Sequence, residues 1–287
     1  MAGHPGGGPY TTARTVARLG QPAAYLGRLS SDRFGRRLRA GLEDDGVSDA
    51  AIVATDDPTT LALAELDAAG AASYRFYSAG TSAAGLERAA ARAAVDALGA
   101  PPAILHAGTL GLVLEPLAAA LEAVVERLAG AALVVVDPNV RPAAMPDPAG
   151  YRARLARVLA RTDVVKVSDQ DLAWLDPGRP VRDAAAALLA DPGPALVLLT
   201  RGPDGATALL RDGTAIDVPA PRVEVADSIG AGDAFAGGFA AWWRREGHGR
   251  DALADAGAVE AAVAFACLVA ARTCERPGAS PPRLDEL

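Results

Sequence analysis

The residues from 227 to 235, Asp-Ser-Ile-Gly-Ala-Gly-Asp-Ala-Phe, join a short glycine loop to an apolar segment with helical character. Gly230 and Gly232 carry no Cβ, so a bound group can approach the main chain closely there. The N–H groups from Gly230 to Asp233 would be free at the helix start, where the helix dipole also favours negative charge. The pattern predicts a hole for the anionic oxygens of a phosphoryl group.

Asp233 stands beside this predicted hole. Two negative charges repel, so a carboxylate makes a poor ligand for a phosphate. It suits a general base that accepts the proton of an attacking hydroxyl. The alternative is that Asp233 caps a helix after a turn, and both roles can coexist. We predict that Asp233 is catalytic, with Gly230, Ala231 and Gly232 forming the anion hole.

Composition limits the partners of the chain. Its 287 residues, 51% of them hydrophobic, are enough for one large α/β domain or two smaller ones. The net charge is −7 and no basic stripe is present, which argues against nucleic acid as a partner. Positive potential for a phosphate must therefore be concentrated locally, by Mg²⁺, helix N-termini and a few basic residues. Lys166 is the only lysine.

Cysteine usage and the apolar runs bear on location. Cys267 and Cys274 lie seven residues apart in a predicted helix, where a disulfide is geometrically implausible, so we predict free thiols in a reducing compartment. The apolar runs are short or interrupted by charges, and no signal peptide is recognised. We expect a cytoplasmic protein with no membrane partner.

Apolar strand-like runs alternate with alanine-rich helical segments along most of the chain. The runs at 103–106, 132–136, 164–167 and 195–199 predict strands buried on both faces, and the predicted helices are 84–98, 116–129 and 150–160. This alternation favours a mainly parallel sheet with helices on both sides. Residues 59–66 and 73–77, separated by a turn at 67–70, instead predict an inserted β-hairpin.

Several further segments, in this order and spacing, resemble the ribokinase-like (PfkB) carbohydrate kinases. Residues 227–235 are similar to the C-terminal signature of that family, Asp-Thr-x-Gly-Ala-Gly-Asp-x-Phe, with Ser228 in place of the threonine. The other matching segments are Gly-Gly-Gly-Pro at 6–9, Gly-Arg-Leu-Ser-Ser-Asp-Arg-Phe-Gly at 27–35, Asp-Pro-Asn-Val-Arg at 137–141, Lys-Val-Ser-Asp-Gln-Asp at 166–171 and Thr-Arg-Gly-Pro-Asp-Gly at 200–205. The resemblance covers nearly the whole chain.

The resemblance implies a fold and an activity. The fold is α/β, a three-layer ribokinase-like domain over residues 1–287, with a lid hairpin at about 57–78 that often serves as a dimer contact. The activity is transfer of the γ-phosphoryl group of ATP to a hydroxyl of a small sugar, with Mg²⁺ and room for a monovalent cation such as K⁺. A fructokinase-like substrate is the first choice, and a ketodeoxygluconate-type sugar acid or ribose is the alternative.

The resemblance also implies site residues. An Asp-x-Asn-x-Arg element in fructokinase-like and ketodeoxygluconate-kinase-like members makes Asn139 and Arg141 substrate-binding. From chemistry alone Arg141 suits a phosphate or carboxylate, and the alternative is a surface salt bridge. Further sugar-side predictions are Gly7, Gly8, Thr11 and Asp233. The nucleotide-side predictions are Lys166, Ser168, Thr200, Gly202, Gly205, Asp227, Gly230 and Gly232.

Two of these segments have structural alternatives. Ser168-x-x-Asp171 stands where the family has Asn-x-x-Glu, which shapes the hydration sphere of Mg²⁺, so Asp171 is the predicted metal residue; a helix cap explains it equally well. Residues 202–205 also read as a β-turn. The three histidines are too scattered for a metal site, and we expect His106 to be a structural histidine with its hydrogen bonds satisfied.

The N-terminus departs from the family. Its members begin with a strand that carries a sugar-binding aspartate well before the glycines, and this chain has neither; Thr11 replaces a usual asparagine. We therefore expect the helix at 12–19 to pack poorly, and hypothesise a true start further upstream. The alternatives are a non-catalytic nucleotide- or sugar-binding relative and, less favoured for want of a Gly-x-Gly-x-x-Gly fingerprint, a nicotinamide-dependent enzyme.

Overall fold

A computed structural model describes residues 3–66 and 72–287, without the side chains of 64–66 and 72–74. The α-helices are α1 (Gly8–Arg18), α2 (Arg33–Asp44), α3 (Arg88–Asp96), α4 (Leu117–Leu128), α5 (Pro148–Leu159), α6 (Asp169–Leu175), α7 (Val181–Ala187), α8 (Ala231–Arg245) and α9 (Ala256–Cys274). The strands are β1 (Gly27–Ser30), β2 (Ile52–Thr55), β3 (Leu61–Leu66), β4 (Ala72–Tyr77), β5 (Ile104–Gly108), β6 (Leu133–Asp137), β7 (Val164–Ser168), β8 (Leu196–Thr200), β9 (Ala206–Leu210) and β10 (Ala215–Val218).

Six strands form the central sheet, in the order β10-β9-β8-β7-β6-β5. Strands β5 to β8 are parallel, and β9 and β10 add antiparallel pairs at one edge. One face packs on α8 and α9 through Val135, Leu198 and Phe239. The other face packs on α4 to α7, with β6 residues against α5 and β7 residues against α6 and α7. The predicted three-layer α/β fold with a mainly parallel sheet is confirmed.

The predicted buried strands lie where the apolar runs are, each shifted by about one residue. The predicted helix at 84–98 begins later, at Arg88. Its first residues instead form a turn in which the Gly85 N–H donates to the carbonyls of Thr81 and Ser82. Glu87 then takes an extended conformation as the residue before the helix.

The inserted hairpin consists of β3 and β4, paired antiparallel with Leu61 opposite Tyr77. Its predicted turn at 67–70 lies outside the described residues. The Leu61 and Tyr77 side chains are 44% and 54% exposed. Apolar side chains thus stand in solvent at the base of the hairpin.

The N-terminal part contains a small sheet separate from the central one. Strands β1 and β2 make a separate parallel pair, and β5 is an edge strand of the six-stranded sheet. The expectation that the first helix packs poorly is wrong: α1 lies along α8, and Thr11, Thr12 and Thr15 are buried. Gly237 explains the fit, since a Cβ there would lie 2.5 Å from Thr15 Cβ. The missing side chain lets the two helices approach closely.

Helix α9 carries both cysteines, Cys267 buried and Cys274 half-buried, as free thiols, as predicted. By length and composition alone this one helix among the described residues could cross a membrane. In the fold it packs on α8, β9 and β10. Val259, Val263 and Val269 are fully buried there, so α9 is a core helix.

Candidate active site

The site is built at the start of α8. Gly230 has φ 81° and ψ 0°, the left-handed conformation, which costs glycine little. A Cβ at Gly230 would lie 2.7 Å from the Cβ of Ala279, so the position is also too tight for a side chain. Helix α8 begins at Ala231, and Asp233 is its third residue. Asp233 is therefore not the helix cap, and that alternative is wrong.

At the predicted anion hole, the structure leaves three N–H groups free and engages a fourth. The Ala231 N–H donates to the Ser228 carbonyl at 3.2 Å, because residues 228–231 form a turn. Among the described residues, the N–H groups of Gly230, Gly232 and Asp233 have no acceptor. These three donors, not Ala231, are free for an anion at the positive end of α8.

The Asp233 carboxylate meets the N-terminal glycines. A Cβ at Gly8 would lie 3.1 Å from Asp233 Oδ1, and the Thr12 hydroxyl donates to the Asp233 backbone carbonyl at 3.1 Å. No described residue donates a hydrogen bond to the carboxylate itself. Burial raises the pKa of Asp233 to about 7, with a further rise from Asp137 and an opposing effect of Lys166 and Arg141. A carboxyl group with this pKa can exchange a proton near neutral pH.

The carboxyl ends of β5, β6, β7 and β8 bring the other candidates to the same edge of the sheet. Gly108 is in register with Asp137, and Ser168 with Thr200. Ligands of open α/β sheets bind outside these strand ends. The segments that the sequence marked at 137–141, 166–171 and 200–205 all begin there.

Lys166 and Asp137 form a buried ion pair. Lys166 Nζ lies 3.0 Å from Asp137 Oδ2, and the two side chains are 5% and 1% exposed. Burial lowers the pKa of Lys166, but Asp137, Asp171 and Asp233 together raise it above its ordinary value. Burial also raises the pKa of Asp137, an effect that the Lys166 charge opposes. Lys166 was predicted at the nucleotide; the structure instead holds its ammonium beneath Gly232.

Asp171 and Ser168 form a capping box at the start of α6. Asp171 Oδ2 accepts from the N–H and hydroxyl of Ser168, and Oδ1 accepts from the Val140 N–H at 2.7 Å. The helix-cap alternative is therefore correct, and it also fixes the 137–141 loop. With both oxygens engaged, Asp171 does not fit direct coordination of a metal. The described residues contain no cluster of three or more candidate metal ligands.

Asn139 and Arg141 follow β6 in an unusual backbone. Asn139 has φ 39°, and its Nδ2 donates to Thr109 Oγ1 at 3.3 Å. Arg141 donates from Nη1 to the Val140 carbonyl at 3.0 Å and makes no ion pair with a described residue, so the surface salt bridge is absent. Beside Arg141 lies a cavity of about 390 Å³, which Gln170 and Trp174 also line.

Thr109 is a site residue that the sequence analysis missed. It follows β5 with φ 54°, and a Cβ at Gly8 would lie 2.6 Å from its hydroxyl oxygen. It thus touches both Asn139 and the N-terminal glycines. The signal was available, since Gly108-Thr109 follows an apolar strand as Asp137 does.

The three N-terminal residues predicted to bind the sugar, Gly7, Gly8 and Thr11, differ in their surroundings. Gly7 adopts φ 127°, which favours glycine, and Gly8 reaches Asp233. Thr11 instead lies buried in α1 with its hydroxyl unpaired among the described residues. Its methyl carbon is 3.4 Å from the place of a Cβ at Gly230. Thr11 thus supports the glycine loop from below.

The remaining residues predicted on the nucleotide side are Thr200, Gly202, Gly205 and Asp227. Gly202 and Gly205 have φ 56° and 88°, and a Cβ at Gly205 would lie 2.1 Å from the Val218 carbonyl oxygen. Asp227 accepts from the N–H groups of Ile229 and Gly278, each at 2.9 Å, and so joins the glycine loop to the C-terminal segment. Thr200 ends β8 at the site edge. Contact of these residues with a nucleotide stays a prediction.

The surroundings of His106 differ from the prediction that its hydrogen bonds are satisfied. Both ring nitrogens are buried and have no hydrogen-bond partner among the described residues. The side chain stands on the sheet face of Val135, which α8 covers and where no acceptor is within reach. Burial lowers the pKa of His106 to about 4, with a smaller effect from the Lys166 charge. The ring is neutral at pH 7, and the prediction of satisfied hydrogen bonds is wrong.

Free N–H groups at a helix start, an adjoining carboxyl group of raised pKa and glycines facing it suit phosphoryl transfer on an α/β fold. Residues 1–286 match the family model described as "pfkB family carbohydrate kinase". The chain belongs to the pfkB family of carbohydrate kinases and is a sugar kinase. The resemblance stated from the motifs is confirmed.

Three of the proteins similar to this chain are fructokinases. The chain is 35% identical over 241 residues to a fructokinase of Rhizobium leguminosarum bv. trifolii, covering 84% of this chain and 72% of that one. A crystal structure of fructokinase with bound ATP from Xylella fastidiosa has a TM-score of 0.85 and 30% identity, covering 98% and 88%. Fructokinase from Vibrio cholerae O395 with fructose, ADP and calcium has a TM-score of 0.82 and 25% identity, covering 96% and 86%.

Proposed function

We propose that this chain transfers the γ-phosphoryl group of ATP to a hydroxyl of fructose, with Asp233 as the general base. The observation that carries the proposal is the Asp233 carboxyl group. It lies beside the three free N–H groups of the α8 start, has no donor among the described residues, and has a pKa raised to about 7. The fructokinase relatives support the choice of fructose.

In this mechanism the sugar hydroxyl approaches the Asp233 carboxylate beside its contact with Gly8. Asp233 accepts its proton as the oxygen attacks the phosphoryl group. The N–H groups of Gly230, Gly232 and Asp233 stabilise the charge that develops on the equatorial oxygens. Asn139 and Arg141 bind the rest of the sugar from the other side, with Thr109 holding the Asn139 amide in place.

Mg²⁺ fits the site as a companion of the nucleotide. It keeps several waters and is bound largely through phosphates in such enzymes, where it neutralises charge on the phosphate oxygens. Asp171, with both oxygens accepting hydrogen bonds, would meet it through water. We retain Thr200, Gly202, Gly205 and Asp227 as the nucleotide side, and a monovalent cation such as K⁺ as a further cofactor.

The test is ADP release from Mg-ATP with fructose, ribose and ketodeoxygluconate as acceptors. We expect release with fructose, and a loss of about 10²–10⁴-fold in Asp233→Asn, which removes the base at constant size. Asp251→Asn, at an exposed position in the turn before α9, is the matched control and should keep full activity. Unchanged turnover in Asp233→Asn would refute the assignment of the base.

A sugar acid is the second candidate, and one observation favours it. Arg141 has no carboxylate partner among the described residues and borders the cavity at 140–142 and 170–174. A substrate carboxylate could form a bidentate pair with it. Arg141→Met should then raise KM for ketodeoxygluconate far more than for fructose, and equal changes would exclude this candidate.

We also propose that this enzyme is cytoplasmic. We propose further that it forms a homodimer through the β3–β4 hairpin. The exposed Leu61 and Tyr77 side chains support this contact. Sedimentation velocity of the wild type and of Leu61→Ser would test it. A wild type that is monomeric at micromolar concentration would refute the dimer.

A further inference from the structure

The ammonium group of Lys166 occupies an unusual place. It lies below the first turn of α8, where a Cβ at Gly232 would be only 2.9 Å from Nζ. The glycine of the motif therefore makes room on its inner side for a buried cation, as well as on its outer side for a ligand. The cation stands at the positive end of the α8 dipole, which by itself disfavours it.

Only carboxylates can offset that cost, and three surround the ammonium. Asp137 on β6 bonds it at 3.0 Å, and Asp171 at the start of α6 and Asp233 on α8 attract it from further away. Among the described residues, His106 on β5, which is neutral, also feels the Lys166 charge, and Arg141 acts on the Asp137 and Asp233 carboxyl groups. A buried ion pair is weak evidence for a contribution to stability, and this one lies at a helix N-terminus, where a cation is disfavoured. A role in the chemistry explains its presence more simply.

We propose that the Lys166–Asp137 pair is a positioning element of the phosphoryl-transfer site, which sets the charge of the Asp233 carboxyl group and the potential of the anion hole from beneath Gly232. The inference rests on the proposed function, with Asp233 as base. Lys166 does not touch the substrate; it acts through Gly232 and Asp233. Asp137, its single hydrogen-bond partner in the part of the chain that the structure describes, holds it in place.

The two members of the pair act on Asp233 in opposite directions. Asp137 raises the pKa of Asp233, and Lys166 and Arg141 lower it. Gly8 and Thr12 of α1 contact Asp233, and neither is charged. Removal of Asp137 should therefore make Asp233 a stronger acid. Removal of Lys166 leaves two buried carboxyl groups side by side, which hold a proton to higher pH.

The experiment compares Asp137→Asn and Lys166→Met in the full chain. The pH of half-maximal kcat/KM should fall by about one unit in Asp137→Asn and rise by about one unit in Lys166→Met. Lys166→Arg keeps the charge and should keep the wild-type midpoint. A merely structural pair would lower stability in both single variants and leave both midpoints unmoved, which would overturn the proposal.

Two further measurements keep the test decisive if a variant does not fold or if the proposed function fails. If a single variant does not fold, Asp137→Asn with Lys166→Met removes both charges together, and its midpoint should lie between the two single-variant values. If the wild type phosphorylates no sugar, the pKa of Asp233 is read by carboxyl ¹³C NMR, assigned with Asp233→Asn. Opposite shifts in the two variants then support the pair even though the proposed function fails, and parallel or absent shifts refute it.

The Lys166 ammonium group can also be titrated directly by NMR. Because Lys166 is the only lysine, lysine labelled at its side-chain carbon gives a single side-chain signal. We expect that signal to titrate above the ordinary lysine pKa, and its midpoint to fall in Asp137→Asn and in Asp233→Asn. An ordinary lysine titration, unchanged by both substitutions, would show an ammonium free in solvent and overturn the proposal.

Discussion

Gly8 of α1 lies against Asp233 of α8, so closely that a Cβ at Gly8 would be 3.1 Å from Asp233 Oδ1 and 2.6 Å from Thr109 Oγ1. Residues 225 positions apart in sequence thus share one wall of the site. We expect the acceptor hydroxyl to reach Asp233 beside this contact, so a shift of the contact would displace the base. An added methyl group has no space there unless Thr109 or Asp233 moves.

Gly8→Ala should therefore lower kcat/KM for the sugar by about 10²-fold, the cost of misplacing reacting groups by about 1 Å. Stability should fall by no more than about 1–3 kcal/mol, because the helix propensity of alanine in the first turn of α1 partly offsets the overpacking. Gly6→Ala is the matched control, since a Cβ at Gly6 meets nothing within 4 Å. Steady-state kinetics of both variants decides the matter, and equal activities would show that Gly8 does not border the acceptor.

The activity should depend on pH with an acid limb near 7. Burial and Asp137 raise the pKa of Asp233 to about 7, and only the ionised carboxylate can accept a proton. The value of kcat/KM should therefore fall about tenfold for each pH unit below 7 and level off above it. A profile measured from pH 5 to 9 at saturating Mg-ATP checks this, and a flat profile down to pH 5 would contradict it.

The sequence predicted the sheet and the edge of the site well, for physical reasons. Continuous apolar runs such as 133–136 favour strands covered on both faces, and the polar residues after parallel strands meet at the carboxyl edge. What the sequence could not predict is which side chains each polar residue would reach. Lys166, predicted as a nucleotide contact, turns inward to Asp137, and Asp171 is the third helical residue of a capping box whose cap is Ser168.

The packing of α1 was mispredicted for a related reason. A sheet without one strand suggested an uncovered helix, but the helix packs mainly on α8 and to a lesser extent on β5. The Gly237–Thr15 contact that permits this involves small residues more than 200 positions apart. No local pattern shows such a pair, because glycine in a helix reads first as a weak helix former.

Gly237→Ala tests this helix contact. A Cβ at Gly237 would lie 2.5 Å from Thr15 Cβ and 3.0 Å from the Thr12 carbonyl oxygen, so overpacking should destabilise the fold by about 1–3 kcal/mol. Gly257→Ala, in the first turn of α9, has ordinary space for the methyl group at 3.4 Å from Asp255 Oδ1. It should gain up to about 1 kcal/mol from helix propensity. Urea unfolding should give opposite signs, and a stabilised Gly237→Ala would contradict the close contact.

Asp32 joins the hairpin to α2. It caps α2 by accepting from the Gly35 N–H, and it also accepts from the N–H and hydroxyl of Thr59 at the hairpin base. Burial raises the pKa of Asp32, but these hydrogen bonds outweigh it and lower the pKa to about 2. Its stabilising effect is therefore present above the unfolded pKa and is lost as pH falls through about 2.

Asp32→Ala should cost more than the loss of a cap alone, which is about 0.5–2 kcal/mol. Asp147→Ala is the control, because Asp147 caps α5 through the Gly150 N–H and makes no long-range hydrogen bond among the described residues. Urea unfolding at pH 7 gives the two values. Protease cleavage within the hairpin should be faster in Asp32→Ala only, and equal cleavage in both variants would show that Asp32 does not hold the hairpin.

His106 should make the fold sensitive to mild acid. Burial lowers its pKa from 6.5 to about 4, so the unfolded chain takes up a proton below pH 6.5 that the native state refuses until about pH 4. Stability is then lost as pH falls from 6.5 to 4, by about 3 kcal/mol in total. His106→Leu removes both this proton and two unpaired buried nitrogens, so it should be as stable as the wild type at pH 7 or more stable. Urea unfolding of the two proteins between pH 4 and 7 should give curves that diverge toward acid, whereas parallel curves would mean that the imidazole is hydrated or hydrogen-bonded in solution.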